Sequence, residues 1–491
     1  DYYGVPYPGA KLDMIAIPDF SAGAMENLGA ITFRETLLLI DPAQATQAER
    51  KRVADVIAHE IAHMWFGDLV TMRWWNGTWL KEAFATFMEM KCTDAFRPKW
   101  ETWVAFGPTR NEAMEIDALT TTRSIEYPVH SPEDANAMFD TITYEKGSAV
   151  LRMFEQYLGE ETFRRGISLY LQRHAYGNTD TADLWEALEE ASGEPLGTIA
   201  HGWIFHEGFP QVRVDAAEGG VVLSQQRFAY LDTPSGEWRV PVLYRAGAQI
   251  ERAVIDDPVH VELDGSIVVN AGGSGFYRTR YQPELLEELI ASRDELSPGE
   301  RYALISDVWA HVLAGDTPAA EFLALATSMG DEREPPLWQA AVGGLDELDR
   351  IASSDDRAAL ARLAHRILAP IADELGWSPA SDEGDVARRL RGLVLAAFGT
   401  LAADTATVQE AEAMVDRWFA ESARVDADVA AASLVIVGEN GGRREYERFM
   451  AARVSAVRPQ DGVRLLRAAA AVPDRGTALE LLEMVIDGRV R

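Results

Sequence analysis

The sequence has almost no cysteine and no long apolar run. Cys92 is the single cysteine among 491 residues, which excludes an internal disulfide and favours a reducing compartment, so we predict a cytoplasmic protein. No unbroken stretch of about 18 apolar residues is present that could cross a bilayer, so we predict no membrane segment in this chain. The chain starts at Asp1 rather than at a methionine, and no signal peptide is visible.

Basic side chains are also scarce. The 46 lysine and arginine residues face 78 aspartate and glutamate residues, which gives a formal net charge of −32 at pH 7. Contacts with phosphate groups need clustered lysine and arginine, so we expect neither nucleic acid nor an anionic membrane surface as a partner. A length of 491 residues predicts roughly two to four domains with large cores, and it leaves the oligomeric state open.

The most informative pattern is His59-Glu60-Ile61-Ala62-His63, followed after eighteen intervening residues by Glu82. Helical residues four positions apart lie on the same face, so the two imidazoles can converge on one ion. Glu82 would add a carboxylate oxygen, and two nitrogens with one oxygen suit a catalytic zinc ion that keeps its fourth position open to water. Glu60 would be the general base toward that water. The pattern favours a metal site over a surface helix that merely carries two histidines.

Apolar periodicity predicts that these residues lie on two helices. Over residues 49–65, apolar side chains recur at three- and four-residue spacing, and Gly67-Asp68 then predicts the helix end. A stretch rich in tryptophan and glycine reverses the chain before a second periodic segment at residues 80–95. Glu82 is therefore expected in the first turn of the second helix, where a carboxylate also favours the helix dipole.

Two further patterns are weak when each is taken alone. Gly23-Ala24-Met25-Glu26-Asn27 follows a strand-like run at residues 12–17 and precedes extended sequence at residues 30–33 and 36–40. By itself it reads as a glycine turn that contains an acidic residue. Tyr144-Glu145-Lys146-Gly147 contains one of fourteen tyrosines, and composition alone favours a packing residue there.

Together the three patterns resemble those of the zinc aminopeptidase N family. The match comprises residues 59–68, then Trp79-Leu80-Lys81-Glu82, the glycine segment upstream and the tyrosine motif downstream. The resemblance implies a zinc metallo-aminopeptidase that removes the N-terminal residue from peptides with a free amino terminus. It also implies a β-rich domain before Asp1 and a helical region that continues past Arg491.

The resemblance assigns a role to each residue of the catalytic motifs. His59, His63 and Glu82 match the ligands of one zinc ion per chain, and Glu60 matches the general base. Tyr144 matches the tyrosine that donates a hydrogen bond to the oxyanion of the reaction intermediate, a type of contact worth on the order of 3–4 kcal/mol.

Substrate binding is assigned to the glycine segment. Glu26 matches the acid that binds the α-amino group, and a buried carboxylate facing an ammonium discriminates an N-terminus from an internal peptide bond. Backbone groups of Gly23 and Ala24 would hold an extended peptide without reading its side chains. The whole predicted substrate-binding segment consists of Gly23, Ala24, Met25, Glu26 and Asn27.

The chain departs from the family pattern on both sides of the third ligand. The family usually has Asn before that glutamate and Gly after it, whereas this chain has Lys81 and Ala83. Both residues are good helix formers, and the change could also alter the hydrogen bonds around Glu82.

Three alternative functions fit the motifs less well. An epoxide hydrolase of the leukotriene hydrolase type would typically have Gly where Ala24 lies. A catalytically inactive scaffold would usually have lost a zinc ligand or the base, and here all are present. A thermolysin-like endopeptidase is disfavoured by Glu26.

The predicted fold class is multidomain α+β. Residues 1–209 are expected to form a thermolysin-like catalytic zinc domain. Over residues 210–282, short extended runs alternate with Gly, Asp and Pro turns, which predicts a small β-sandwich. Residues 283–491 have helical periodicity, which predicts an all-α, repeat-like C-terminal domain that is incomplete. Breaks in that periodicity occur at Ser297-Pro298-Gly299, Pro335-Pro336, Ser378-Pro379 and Gly438-Glu439-Asn440-Gly441.

Overall fold

Most strands occur near the start of the chain and between residues 209 and 281, and two short ones lie between these regions. The computed structural model describes residues 2–231, 235–247, 249–263 and 265–490. The strands within them are β1 (Asp13–Ile17), β2 (Ala24–Met25), β3 (Ala30–Arg34), β4 (Val70–Met72), β5 (Gly177–Thr179), β6 (Phe209–Ala217), β7 (Gly220–Phe228), β8 (Val240–Ala246), β9 (Gln249–Ile255), β10 (Val259–Glu262), β11 (Ile267–Val269) and β12 (Arg278–Tyr281).

Helices form most of the remaining chain. Those before β6 are α1 (Gln47–Ala62), α2 (Trp79–Phe96), α3 (Thr102–Ala105), α4 (Gly107–Asp117), α5 (Pro132–Ala137), α6 (Gly147–Leu158), α7 (Glu160–His174), α8 (Thr181–Ser192) and α9 (Leu196–Phe205). Those after β12 are α10 (Pro283–Ala291), α11 (Pro298–Leu313), α12 (Ala319–Thr327), α13 (Pro335–Ile351), α14 (Ser354–Leu375), α15 (Asp385–Thr400), α16 (Thr405–Ala420), α17 (Ala427–Glu439), α18 (Arg443–Val454), α19 (Pro459–Ala470) and α20 (Arg475–Ile486).

The first three strands form one sheet in the order β1-β3-β2. The extended runs predicted at residues 12–17 and 30–33 are confirmed by β1 and β3. The extended run predicted at residues 36–40 is wrong, because Glu35–Leu37 form a 3₁₀ turn. The amides of Leu38 and Leu39 both donate to the carbonyl oxygen of Glu35, which closes the turn after the strand.

Helix α1 begins at a reciprocal pair of hydrogen bonds. The Thr46 hydroxyl accepts from the Glu49 amide at 3.1 Å, and the Glu49 carboxylate accepts from the Thr46 amide at 2.9 Å. The helix ends at Ala62, earlier than the predicted continuation to Trp65. Beyond Ala62 the amides of Met64 and Trp65 bond to the third residue back, whereas those of His63 and Phe66 bond to the fourth, so the apolar periodicity continues through turns where the regular α-helix does not.

Helix α2 is enclosed over most of its length. Every residue from Trp79 to Met90 is buried, and Phe84 and Phe87 have no exposed surface. The helix predicted at residues 80–95 is confirmed. A charged side chain inside such a helix needs a partner of opposite charge or a metal ion, because burial of an unpaired charge is costly. This requirement applies to Glu82, which is 2% exposed.

Residues 209–281 form two sheets in the orders β10-β7-β6-β12 and β11-β8-β9. Strands β6 and β7 pair antiparallel, whereas β12 lies parallel to β6. Successive side chains of a strand point to opposite faces of its sheet. Val212 and Val214 of β6 and Val240 and Val242 of β8 have no exposed surface and belong to one hydrophobic cluster, so the two sheets share a core.

The breaks predicted in the C-terminal region coincide with helix ends. Helix α11 begins at Pro298, α13 begins at Pro335 and α17 ends at Glu439, while Ser378-Pro379 lies between α14 and α15. The coarse prediction of a mixed α and β protein with a helical C-terminal region is therefore confirmed. Among the described residues, no helix combines the length and the apolar content needed to cross a membrane.

The chain divides into two compact units. One comprises Asp1–Ile15, Met25–Thr32 and Asp55–Leu325, and the other comprises Ala16–Ala24, Phe33–Ala54 and Ala326–Arg491. These units do not follow the boundaries predicted after residues 209 and 282, and the three-domain division stays a prediction.

Candidate metal centre and active site

Three potential metal-ligand atoms converge at the end of α1 and the start of α2. The Nε2 atoms of His59 and His63 are 3.1 Å apart. The Oε2 atom of Glu82 lies 3.5 Å from the first of these nitrogens and 3.3 Å from the second. All three side chains are buried. The structure thus brings together the three residues that the sequence pattern singled out.

A hydrogen bond to the other nitrogen of each ring sets its orientation. His59 Nδ1 lies 2.9 Å from Glu89 Oε2, and His63 Nδ1 lies 2.9 Å from the carbonyl oxygen of Phe66. Because these oxygens accept, the proton of each neutral ring belongs on Nδ1, and the Nε2 atom of that neutral form is the one free to bind a metal ion. Two such nitrogens and one carboxylate oxygen are a donor set that fits zinc.

Glu89 is a site residue that the sequence reasoning missed. It lies on α2 seven residues after Glu82, which is about two helical turns and therefore the same face. That spacing is the signal that could have identified it. A carboxylate that binds the far nitrogen of a metal-ligating histidine fixes the ring and raises its basicity.

Replacing Glu89 by glutamine is expected to weaken zinc binding by about 10–100-fold, because the neutral amide no longer polarises His59. Competition with a chromogenic chelator measures the affinity. Glu112→Gln, which changes an exposed residue of α4, is the matched control and should leave the affinity unchanged. Equal zinc affinity in the Glu89 variant and the unchanged protein would show that this contact serves packing alone.

The electrostatics of the centre favour a cation. Burial tends to lower the pKa of His59, but hydrogen bonds and charge from Glu82 and Glu89 outweigh it and raise the pKa to about 10. Burial opposes ionisation of Glu82, yet His63, His59 and Lys81 outweigh it and hold the pKa of this carboxyl well below its ordinary value. Surroundings that stabilise a positive imidazole also stabilise a divalent ion, whose binding would release the proton.

Glu60 lies between the two histidines in sequence and is 5% exposed. Its Oε2 atom has no hydrogen-bond partner among the described residues. Burial raises the pKa of Glu60 to about 7, against the opposing effect of His59 and His63. A cation at the three donor atoms would lower that pKa. An ionised, buried carboxylate with an unpaired oxygen is equipped to accept a proton.

Tyr144 lies in a π-helical turn, Ile142–Lys146, that leads directly into α6. Such turns are rare and frequently occur at functional sites. The Tyr144 ring stacks on His59, with ring centroids 6.0 Å apart and an interplanar angle of 11°. Burial and the nearby Glu82 carboxylate raise the pKa of Tyr144 far above its ordinary value, so the phenol keeps its proton and remains a hydrogen-bond donor.

The two residues after Glu145 hold this turn in place. Lys146 is fully buried, and its ammonium lies 2.8 Å from the carboxylate of Asp117 on α4. Gly147 packs closely on α2, since a Cβ atom at this position would lie only 2.6 Å from the Cβ of Ala83. A side chain at position 147 would therefore push the turn, and with it Tyr144, away from α2. The motif around Tyr144 thus has a structural reason at two of its four positions.

Glu26 faces the same centre as the histidines. One carboxylate oxygen of Glu26, one of Glu60 and one ring nitrogen of His63 all lie within 4.8 Å of one another. Burial tends to raise the pKa of Glu26, but the neighbouring His63 and Lys81 outweigh it and lower the pKa, so the carboxylate is ionised.

The other residues of the glycine segment lie on or beside strand β2. Ala24 and Met25 form that strand, which is at the edge of its sheet because β3 alone among the described strands flanks it. The carbonyl oxygen of Gly23 accepts from the amide of Arg34 at 2.8 Å, and that of Asn27 accepts from the amide of Ala30 at 2.9 Å. The segment therefore has the edge-strand geometry that backbone pairing with a peptide requires.

Lys81 makes contacts that the sequence did not reveal. Its ammonium lies 2.7 Å from Glu26 Oε1 and 2.9 Å from Glu82 Oε1. Burial tends to lower the pKa of Lys81, but the two carboxylates outweigh it and raise the pKa, so the side chain stays charged. From the sequence, Lys81 was identified only as a departure from the family pattern.

The sequence is similar to those of known proteins over the whole chain. The model of the peptidase family M1 domain matches residues 1–203, and the model of the ERAP1-like C-terminal domain matches residues 266–491. Aminopeptidase M1-A of Oryza sativa subsp. japonica is 34% identical over 515 residues, which cover 100% of this chain and 58% of that protein. The tricorn protease-interacting factor F2 of Thermoplasma volcanium is 37% identical over 396 residues, which cover 80% of this chain and 50% of that protein.

A third relative, the puromycin-sensitive aminopeptidase of Caenorhabditis elegans, is 32% identical over 507 residues, with 98% of this chain and 53% of the relative covered. The chain therefore spans between 50% and 58% of the length of these three curated relatives. The glycine segment, the histidine motif and the tyrosine motif all lie within residues 1–203. The chain belongs to peptidase family M1, the zinc aminopeptidase N family that its motifs resemble.

Proposed function

We propose that this chain carries the catalytic centre of a zinc aminopeptidase, which hydrolyses the peptide bond after the N-terminal residue of a peptide. One observation carries the proposal: the donor atoms of His59, His63 and Glu82 converge where Glu60 and Glu26 also meet. One zinc ion per chain would bind the three donors. When bound, it would polarise the scissile carbonyl and lower the pKa of water to about 7.

The remaining steps belong to the side chains of this protein. Glu60 takes a proton from the attacking water and returns it to the leaving amine. Tyr144 donates a hydrogen bond to the carbonyl oxygen as negative charge develops there. Support for these two roles comes from the unpaired oxygen of Glu60 and from the persistent proton of Tyr144.

Substrate selection is assigned to the segment around β2. Glu26 pairs with the α-ammonium of the peptide, and the edge of β2 pairs with its backbone through Gly23 and Ala24, with Met25 and Asn27 completing the segment. The ionised state of Glu26 and the edge position of β2 support this assignment. The substrates are therefore peptides with a free amino terminus.

We also propose a more detailed architecture for this chain. A thermolysin-like arrangement is supported by the histidine pair at the end of α1 and the glutamate at the start of α2. The boundaries at residues 209 and 282 and a repeat-like arrangement of the C-terminal helices are proposed with it. The cytoplasmic location and the absence of a nucleic-acid partner stay predictions from composition.

Zinc content and turnover of leucine p-nitroanilide test the proposal together. We expect one zinc ion per chain and a release of p-nitroaniline that a chelator abolishes and added zinc restores. Bound zinc with hydrolysis of an allylic epoxide, but of no aminoacyl substrate, would point to the epoxide hydrolase. Absence of both zinc and turnover would point to the inactive scaffold.

Glu26→Ala tests the exopeptidase assignment. We expect kcat/KM for a free-amine peptide to fall. The corresponding loss of transition-state stabilisation should be roughly 2–5 kcal/mol, the cost of removing one partner of a buried charge pair. The matched N-acetylated peptide has no ammonium, so its smaller kcat/KM should change less. The two substrates are measured in both proteins. Equal losses on both would mean that Glu26 only supports its turn, and an endopeptidase would then be the better assignment.

A further inference from the structure

Lys81, the residue before the third proposed metal ligand, places its ammonium group against the carboxylate of Glu26, which we assign to substrate binding. The Lys81 ammonium lies 2.7 Å from Glu26 Oε1 and 2.9 Å from Glu82 Oε1. The side chains of Lys81 and Glu26 are only 11% and 13% exposed, so water screens their interaction weakly. An ammonium from the protein therefore already binds one oxygen of the carboxylate that we assign to the ammonium of the substrate.

The surroundings of Lys81 keep its ammonium at this position. The lysine stem passes beside Gly67, where a Cβ atom would lie 3.5 Å from Lys81 Cδ. The ammonium lies 5.5 Å from the centre of the Phe139 ring, within the range of a cation–π contact. Glu82 presents Oε2 to the histidines and Oε1 to Lys81, so metal binding through Oε2 leaves the lysine contact in place.

We propose that Lys81 competes with the α-ammonium of the substrate for Glu26 and thereby sets how strictly the enzyme prefers a free amino terminus; this inference rests on the proposed function. Two ammonium groups that bind one carboxylate repel each other, and this repulsion is stronger in a partly buried site than in water. Lys81 therefore weakens the binding of charged N-termini.

The same contact makes blocked substrates less unfavourable. Without Lys81, a peptide that lacks an ammonium would leave Glu26 buried and uncompensated, which is costly. With Lys81 present, Glu26 keeps its counterion when such a peptide binds. The ratio of kcat/KM for free-amine peptides to that for N-acylated peptides is therefore lower than a glutamate alone would give.

The first test measures this ratio for leucyl and N-acetyl-leucyl peptides of the same sequence. Lys81→Gln removes the charge and keeps N–H donors for both carboxylates, and Lys81→Arg keeps the charge. We expect the glutamine variant to raise the ratio by about tenfold, and the arginine variant to leave it within about threefold. Because both substrates are measured on one preparation, changes in zinc content or folded fraction cancel. An unchanged or lower ratio in Lys81→Gln would overturn the proposal.

The second test does not depend on turnover. Calorimetry follows the binding of 3-methylbutylamine, which carries the amine and side chain of leucine but no carbonyl group, with 3-methylbutanol as the uncharged control. Lys81→Gln and Lys81→Met should both bind the amine about tenfold more tightly than the unchanged protein, and this gain should vanish when Glu26→Gln is added. Binding no tighter than in the unchanged protein would overturn the role of Lys81. Absence of turnover in the unchanged, zinc-loaded protein would instead refute the proposed function.

Discussion

Replacing Glu60 by glutamine is expected to lower kcat by at least about 10²-fold while the protein keeps its zinc. Glutamine has nearly the shape of glutamate but cannot take a proton from the attacking water. The three donor atoms belong to other residues, so the metal content should not change. The measurement is kcat on leucine p-nitroanilide, with zinc determined on the same sample.

The matched control for this variant is Glu112→Gln, which changes an exposed carboxylate on α4 and should leave kcat and zinc content unchanged. A Glu60 variant with near-normal kcat and bound zinc would contradict the role of Glu60 as general base. Thermal unfolding of both variants shows whether the buried position of Glu60, which is 5% exposed, makes the substitution disruptive.

Removal of the Tyr144 hydroxyl is expected to lower kcat by a factor on the order of 10²–10³, with a much smaller change in KM. The hydroxyl should act mainly in the transition state, where the carbonyl oxygen becomes negative. Tyr144→Phe keeps the ring, and therefore the stacking on His59 at 6.0 Å, so the substitution isolates the hydrogen bond. Steady-state kinetics on a series of aminoacyl substrates separates kcat from KM.

Tyr176→Phe is the matched control, because Tyr176 is 83% exposed and has no role in the proposed mechanism. It should leave both constants unchanged. If Tyr144→Phe raises KM and leaves kcat alone, the hydroxyl binds the substrate in its ground state rather than the oxyanion. A loss of zinc in this variant would indicate that the tyrosine supports Glu82, which its hydroxyl approaches.

The metal centre was predictable because most of its geometry is local. His59 and His63 are four residues apart, and even beyond the last residue of α1 the amide of His63 still bonds to the carbonyl of His59 at 3.2 Å. The helical arrangement therefore persists at the second histidine although α1 ends at Ala62. Glu82 could be added only through its spacing and the family resemblance, since a helix start is also an ordinary position for a glutamate.

Tyr144 was identified through the resemblance alone. Its position depends on a π-helical turn, on the close approach of Gly147 to Ala83 and on the buried pair of Lys146 with Asp117. Those contacts join segments that are far apart in the chain, so neither composition nor periodicity can predict them. The strand predicted at residues 36–40 fails for the opposite reason: the apolar run there favours extended structure, but the local 3₁₀ turn Glu35–Leu37 ends the strand.

Helical periodicity and the spacing of histidine and glutamate were sufficient to identify the two site helices and the donor set, and the three motifs together indicated the family. The partners of Lys81 are determined only by the tertiary structure, which brings distant segments together. A lysine beside a metal ligand on a helix would ordinarily extend to water, yet here it binds Glu26, a residue 55 positions away in sequence. Short-range geometry is encoded by neighbouring residues, whereas the pairing of buried charges depends on which distant segments share a core.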